Sequence, residues 1–204
     1  MTSILDLILP HDESSSVFSP DRRYRYRLNR RWGPGPELML VALHPGVARE
    51  HHDDPDAGRD KAVARAFGYD AYAKLNLFAA RAHDAHTLDG LADPVGPDND
   101  ARLAEAAAQH DVIVLDWGDH AAITRARTVS SRLWRIAREC GGAIAVLDWT
   151  PSGQPYHPLR VRGDAQLQCL TAHAHPDMVD VDPRWTQLLA DAAAAGQAGK
   201  AGRR

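Results

Sequence analysis

The sequence contains little cysteine, with two cysteines among its 204 residues. Cys140 and Cys169 cannot supply the four thiolates of a typical structural zinc or iron-sulfur site. They also stand too far apart for a Cys-x-x-Cys motif. We therefore interpret both as buried, reduced thiols and expect no cofactor.

Long apolar runs are also absent from the sequence. No stretch approaches the roughly 18 apolar residues of a membrane span, and the N-terminal residues lack the features of a signal peptide. We expect a cytoplasmic protein without a membrane partner, and the oligomeric state is left open. Its 24 basic and 27 acidic residues nearly balance, which argues against binding to nucleic acid by bulk charge but allows a local basic face.

Several motifs of common enzyme classes are missing. The glycine-rich phosphate loops of nucleotide-binding proteins do not occur, which disfavours hydrolysis of nucleoside triphosphates. There is no Gly-x-Ser-x-Gly elbow of a serine hydrolase and no His-Glu-x-x-His zinc motif.

The composition that remains is that of a globular domain. The apolar fraction is 44% and the charged fraction is 25%, both near ordinary values. We expect an N-terminal arm over 1–22, a single α/β domain over 23–195 and a flexible tail over 196–204. A domain of this size buries a sizeable core.

Apolar segments alternate with segments of helical spacing along this domain. Period-two alternation over 24–28 predicts an edge strand. Near the C-terminal end of the domain, a helix is predicted around 185–189. Continuously apolar strands are predicted over 38–43, 71–78, 111–117 and 142–149, and helices over about 58–67, 99–110 and 121–140. This order predicts an α/β fold in which four apolar strands form a mostly parallel central sheet with helices on both sides.

The helix predicted over 121–140 has two kinds of surface. An apolar stripe runs from Ile123 through Leu133 to Ala137. Its arginines, among them Arg125 and Arg135, lie mostly elsewhere around the helix. We interpret them as a solvated face, and a phosphate-binding surface is the alternative.

Polar and turn residues follow each apolar strand, where ligands of parallel sheets bind. His44 and His157 each precede a proline, which fixes the local chain direction and suits a catalytic donor, although either could be held in a loop structurally. The Asn76 amide has both a hydrogen-bond donor and an acceptor, which suits recognition of a base edge. The alternative is that Asn76 is buried and holds a loop in place. Trp117 either stacks on a flat ligand or packs in the core. The remaining candidate ligand-binding residues near these strand ends are Pro45, Gly46, Arg81, Gly118 and Arg160.

A cluster of histidine and aspartate raises a metal hypothesis. His51, His52, Asp53 and Asp54 are adjacent, and imidazole and carboxylate are suitable ligands. Their spacing is not diagnostic, so we assign no metal ligands and keep a metal-dependent enzyme as an alternative.

A set of short motifs in this order resembles the bacterial family called domain of unknown function 1643. The resemblance runs from about Tyr24 to Val161. It rests on residues 24–28, 43–46, 53–55, 76–78, 94–100, 117–118 and 157–159. Where the family usually has Leu-Asn-Pro-Ser, this chain has Leu-His-Pro-Gly at 43–46. The family name implies no reaction.

A more distant resemblance is to the uracil-DNA glycosylase superfamily. It rests on the turn Pro45-Gly46, on Asn76, on Gly118 and on His157-Pro158. It implies a three-layer αβα fold in which Asn76 reads a pyrimidine edge and His157 donates to the base oxygen.

The chain departs from those enzymes at the group that positions water. His44 stands in the first motif, with Asp53 or Asp54 as substitutes, so the catalytic candidates are His157, His44 and Asp54. In those enzymes a loop that begins with the final His-Pro pinches DNA, and Leu159 lies in the corresponding segment here. Leu159 could act as a wedge that holds a base out of the stack, but we favour the interpretation that it packs as an ordinary strand residue.

Two functions of different classes follow from this resemblance. The first is hydrolysis of an N-glycosidic bond in DNA or a nucleoside, with a nucleobase, a nucleoside or DNA as the ligand. The second is a noncatalytic domain that binds a nucleobase or nucleic acid in the same place.

Overall fold

A computed structural model of the chain describes residues 13–46, 55–162 and 164–190. These residues form one sheet of seven strands in the order β1-β2-β4-β3-β5-β6-β7. The strands are β1 (Glu13–Phe18), β2 (Arg25–Arg31), β3 (Glu37–Ala42), β4 (Ala71–Asn76), β5 (Val112–Leu115), β6 (Ala143–Val146) and β7 (Gln168–Thr171).

Five α-helices and one 3-10 turn accompany the sheet in the described residues. They are α1 (Pro55–Ala66), α2 (Ala85–Asp89), α3 (Asn99–Ala107), α4 (Ile123–Glu139), the turn Pro158–Arg160 and α5 (Pro183–Leu188). The three long helices and the terminal helix confirm the predicted helical segments, and their ends differ by a few residues. None of the described helices is long and apolar enough to cross a membrane.

The α/β class is confirmed, but the sheet has seven strands and not four. Strands β4, β3, β5 and β6 are neighbours and run parallel, with Ala42 beside Asn76 in the register of β3 and β4. The other three strands are antiparallel to their neighbours. The four predicted apolar strands therefore form the middle of the sheet, and strands of less apolar sequence extend it on both sides.

Helices cover both faces of the sheet. On one face Val63 and Ala64 of α1 pack on Leu38, Leu40 and other strand residues. On the other face α3 and α4 pack against the alternate residues of the same strands, as the period-two geometry of a strand requires. Burial on both faces explains why the central strands are continuously apolar.

The segment 24–28 belongs to a strand, but the prediction of an edge strand is wrong. β1 pairs with β2 along its whole length, so that β2 is an inner strand. β1 itself, whose burial alternates between exposed and half-buried, lies within the segment that we interpreted as an arm. Its polar residues, Ser14 to Ser16, carried no strand signal because an edge strand needs little apolar surface.

Three predictions about burial are also wrong. Cys140 and Cys169 are both exposed, since they lie at the end of α4 and on the outer strand β7. Ile123, the first residue of α4, is 44% exposed and so lies outside the buried stripe. Arg125 is not on the solvated face, because its guanidinium donates to the Leu77 carbonyl and pairs with Asp100 at 2.6 Å.

The tryptophan of the terminal helix α5 anchors this helix in the hydrophobic core. Trp185 is 2% exposed, and its ring meets that of Trp149 edge to face, with centroids 4.8 Å apart. The helix begins at Pro183, and the side chain of Asp182 accepts a hydrogen bond from the backbone N–H of Arg184.

We expect Trp185→Ala to lower the free energy of unfolding by about 3–5 kcal/mol, because it leaves a cavity under α5. Urea denaturation monitored by circular dichroism measures the change. Val179→Ala is the matched control, since Val179 is 76% exposed and its truncation should stay within about 0.5 kcal/mol. Equal effects of the two variants would contradict this assignment of the core.

Candidate active site

A cleft of about 820 Å³ opens at the carboxyl ends of the parallel strands. The segments that follow β3, β5 and β6 supply its walls, together with α1 and the side of β2. Among its lining residues are Arg25, His44, Gly46, Asp56, Asp60, Lys74, Trp117, Gly118, His157 and Arg160. A volume of this size suits a ligand as large as a nucleoside.

His157 is positioned by the 3-10 turn that it caps. Its Nδ1 accepts the backbone N–H of Leu159 at 3.3 Å, and its Nε2 lies 3.9 Å from Oδ2 of Asp56. Burial and the positive charge of Lys74 lower the pKa of His157, and the carboxylate of Asp56 opposes them. The neutral ring therefore accepts at Nδ1 and carries its proton on Nε2, toward the cleft.

The turn after β5 brings a glycine close to this histidine. Gly118 has a φ of 73°, a conformation that favours glycine, and a Cβ added there would lie 3.7 Å from Cβ of His157. The N–H of Gly118 donates to the Pro155 carbonyl at 2.9 Å. The segments that follow β5 and β6 are thereby joined beside the cleft.

Trp117 is a core aromatic residue that also forms part of the cleft wall. It is 2% exposed, and its Nε1–H donates to Oε1 of Gln154 at 2.8 Å. This hydrogen bond fixes the ring. The packing alternative for Trp117 therefore describes the structure better than stacking on a ligand.

A buried ion pair lies at the base of the cleft. Nζ of Lys74 on β4 contacts Oδ2 of Asp60 on α1 at 2.6 Å, and their side chains are 8% and 1% exposed. Burial lowers the pKa of Lys74, but the charges of Asp60 and Asp116 outweigh it and place that pKa above its usual range. Lys74 is therefore a permanent cation under the cleft.

Asp116 is a second buried carboxyl close to this pair. It follows β5, is fully buried, and neither of its oxygens has a hydrogen-bond partner among the described residues. Burial raises the pKa of Asp116 to about 7, against the lowering effect of Lys74 and with the help of Asp60 and Asp56. Near neutral pH, Asp116 is therefore partly protonated, close to the permanently charged Lys74.

A bulge in β2 explains how an arginine reaches the cleft. Val17 pairs with Arg27 and Phe18 with Arg25, so that Tyr26 is an extra residue on β2. Such a bulge reverses the side-chain alternation between the residues before it and the residues after it. Arg25, which is 4% exposed, consequently lines the cleft together with Leu28, three residues away.

Most of the predicted residues meet at this cleft. His44, Gly46, Trp117, Gly118, His157 and Arg160 line it. Pro45, which lies between His44 and Gly46 in the sequence, is buried. Asp54 and its neighbours His51, His52 and Asp53 lie outside the described residues, so their roles stay predictions.

Asn76 and Arg81 are not among the residues that line the cleft. Asn76 is 1% exposed, and its amide atoms have no hydrogen-bond partner among the described residues. The residue that fixes the backbone here is Asn99, whose Nδ2 donates to the carbonyls of Asn76 and Leu77. Arg81 lines a separate hollow nearby.

Leu159 is not packed as a strand residue. It lies on the 3-10 turn at the cleft wall and is 52% exposed. The packing interpretation of Leu159 is therefore wrong, because the chain after His157 turns and does not continue as a strand.

Sequence reasoning missed Arg25, Asp56, Asp60 and Lys74. Only Lys74 carried a clear signal, because a lysine within the apolar run 71–78 is rarely buried without a partner. Asp60 sits on a helix whose pattern gave no indication that it faces inward. Within 13–46, 55–162 and 164–190, no group of three histidine, cysteine, aspartate or glutamate side chains is placed to hold a metal ion.

Residues 25–159 match the family described as protein of unknown function (DUF1643). The chain belongs to this family. No curated protein and no solved structure matches it. The DUF1643 segment begins at Arg25 and ends at Leu159, both of which line the cleft.

We expect Asp60→Asn to lower the free energy of unfolding by about 3–5 kcal/mol, because it leaves the Lys74 ammonium buried without its counter-charge. Chemical denaturation measures the loss. Glu105→Gln, which breaks the exposed Arg102–Glu105 pair, should cost less than about 1 kcal/mol. If Asp60→Asn is as mild as this control, the ion pair is not buried in solution.

Asp116 should make stability depend on pH. The unfolded chain loses this proton near the ordinary pKa of 3.8, whereas the folded protein keeps it up to about pH 7. Between these values the folded state binds more protons, so the Asp116 contribution to stability falls as pH rises through that window. We expect Asp116→Asn to gain stability relative to wild type between about pH 4 and about pH 7.

Urea denaturation of both proteins across that range measures the difference. Comparing the two proteins cancels the opposite contribution of His157, whose lowered pKa is common to both. A difference that is constant with pH would contradict the buried, protonated state of Asp116.

Proposed function

We propose that the chain hydrolyses an N-glycosidic bond of a ligand whose nucleobase lies in the cleft. The observation that carries the proposal is the arrangement of His157 opposite Asp56, with Nε2 and Oδ2 3.9 Å apart. Hydrolysis of this bond is accelerated by a donor to the departing base and by a general base, such as a carboxylate, that takes a proton from the attacking water. Both groups line one cleft of about 820 Å³.

The reaction assigns a role to each group. The bond between the sugar carbon and the base nitrogen breaks, and its electron pair goes to the base. Nε2–H of His157 donates to the base oxygen on which negative charge develops. Asp56 accepts a proton from the water whose oxygen bonds to the sugar carbon. The proton that Asp56 accepted passes, directly or through water, to the base anion, so that a neutral free base and a sugar carrying the new hydroxyl result and Asp56 is a carboxylate again.

The lowered pKa of His157 suits this role. A neutral imidazole stays a hydrogen-bond donor at neutral pH without adding a full positive charge beside the Lys74 ammonium. Because the N–H of Leu159 occupies Nδ1, the donor is the nitrogen that faces Asp56. His44 and Asp54 remain further candidates for positioning water.

The distant resemblance to uracil-DNA glycosylases agrees in part with this proposal. The turns at Pro45-Gly46, Gly118 and His157-Pro158 follow three neighbouring parallel strands, and Gly46, Gly118 and His157 line the cleft. Asn76, which the resemblance implies as the base reader, is buried and does not line it. We therefore leave Asn76 out of the proposed contacts.

The test is release of free base, measured by chromatography, from ribonucleosides, deoxyribonucleosides and short single-stranded DNA containing uracil. We expect one of these substrates to release base and His157→Ala to slow release by about 10²–10³-fold, as loss of a donor to a developing anion does elsewhere. His173→Ala, which removes an exposed histidine that does not line the cleft, is the matched control.

A thermal-shift measurement with the same ligands separates the alternatives. Stabilisation by a base or nucleoside that depends on His157, without release of base, would favour the noncatalytic binding domain. Neither stabilisation nor release with any of these ligands would sink the proposal.

A further inference from the structure

A second hollow, of about 430 Å³, adjoins the cleft. The two share Gly46 as a lining residue, and Tyr24 of the hollow is followed directly by Arg25 of the cleft. Three arginines, Arg22, Arg23 and Arg81, line the hollow. At Gly46 the cleft therefore borders a surface that carries three arginines.

The backbone beneath these arginines is well fixed. Tyr24 and Ala80 form an isolated antiparallel bridge, and the N–H of Arg81 donates to the Arg23 carbonyl at 3.0 Å. The Tyr24 hydroxyl donates to the Asp93 carbonyl at 3.1 Å, which closes one wall. The arginines therefore project from two paired segments and not from a loose loop.

Two of the guanidinium groups are held against one aromatic ring. Cζ of Arg22 lies 4.0 Å from the ring centroid of Phe18, and Cζ of Arg81 lies 5.6 Å from the same centroid. Nη1 of Arg81 also donates to the Arg22 carbonyl. The shared ring therefore holds these two positively charged groups next to each other.

Among the described residues, two aspartates near the hollow offset part of the charge of its three arginines. Asp93 is the carboxylate that lines the hollow, and its Oδ1 accepts the N–H of Gly96. Asp21 lies 3.9 Å from Arg23 and also accepts a hydrogen bond from Ser19. The whole chain carries a formal charge of −3, so a local surface with three arginines is not a consequence of its composition.

We propose that this hollow binds a phosphate group of the ligand whose base lies in the cleft. The inference rests on the proposed function, and it narrows the ligand from a free base or nucleoside to a phosphate ester. Arginine binds phosphate through several N–H donors in a fixed plane, and such charge-assisted hydrogen bonds are stronger than neutral ones. The phosphate comes from a mononucleotide or from a nucleic-acid strand.

Isothermal titration tests this site with each ribonucleoside, its 5′-monophosphate, a five-nucleotide single strand and inorganic phosphate. We expect a monophosphate or the strand to bind at least about tenfold more tightly than the matching nucleoside, and the advantage to decrease with salt. Tighter binding of the strand than of the mononucleotide identifies a nucleic acid as the source of the phosphate.

Arg81→Gln and Arg23→Gln should each remove most of this advantage and reduce the dependence on salt, while nucleoside binding stays unchanged. Arg138→Gln on the exposed side of α4 makes the same change in net charge elsewhere and should have no effect. Melting temperatures of the three variants establish that each is folded.

Two results would overturn the inference. One is equal affinity for phosphorylated and unphosphorylated ligands, and the other is an equal loss in Arg138→Gln and Arg81→Gln. Binding of inorganic phosphate that depends on Arg81, without any binding of nucleosides or release of base, would instead leave the phosphate site standing while the proposed hydrolase fails.

Discussion

Four neighbouring strands of the sheet run parallel, and this constraint brings together the candidate residues that follow them. Because β4, β3, β5 and β6 point the same way, the segments that follow them must meet at one edge. His44, Gly118 and His157 come from three such segments, more than 110 residues apart in sequence at the extremes, yet all line one cleft. The helices on both faces hold that edge in place.

Charged side chains are buried under this cleft, where the packing of the sheet removes their hydration. A lysine in the middle of a buried strand loses its hydration, and the helix α1 compensates by placing Asp60 within 2.6 Å of it. Asp116 has no hydrogen-bond partner among the described residues, and its burial raises its pKa to about 7. Buried charge of this kind is retained at functional sites more readily than in a structural core, and here it lies directly beneath the cleft.

The outer strands contribute to function as well as to the sheet. β2 would be an ordinary antiparallel neighbour without the extra residue Tyr26, and its bulge is what places Arg25 at the cleft. The residues just before β2 carry Arg22 and Arg23 to the adjoining hollow. One short stretch of chain therefore supplies cations to both the cleft and the hollow, and Gly46 lies where they join.

The sequence alone determined the α/β class, the four apolar strands, the long helices and the strand ends where the candidate residues lie. Those features depend on local periodicity, which is present in the sequence itself. Only the tertiary structure decided that Asn76 is buried, that Arg81 belongs to a second hollow, and that Lys74, Asp60 and Arg25 belong to the cleft. The direction of these side chains depends on strand pairing, on a bulge and on the packing of α1, which are contacts between residues distant in sequence.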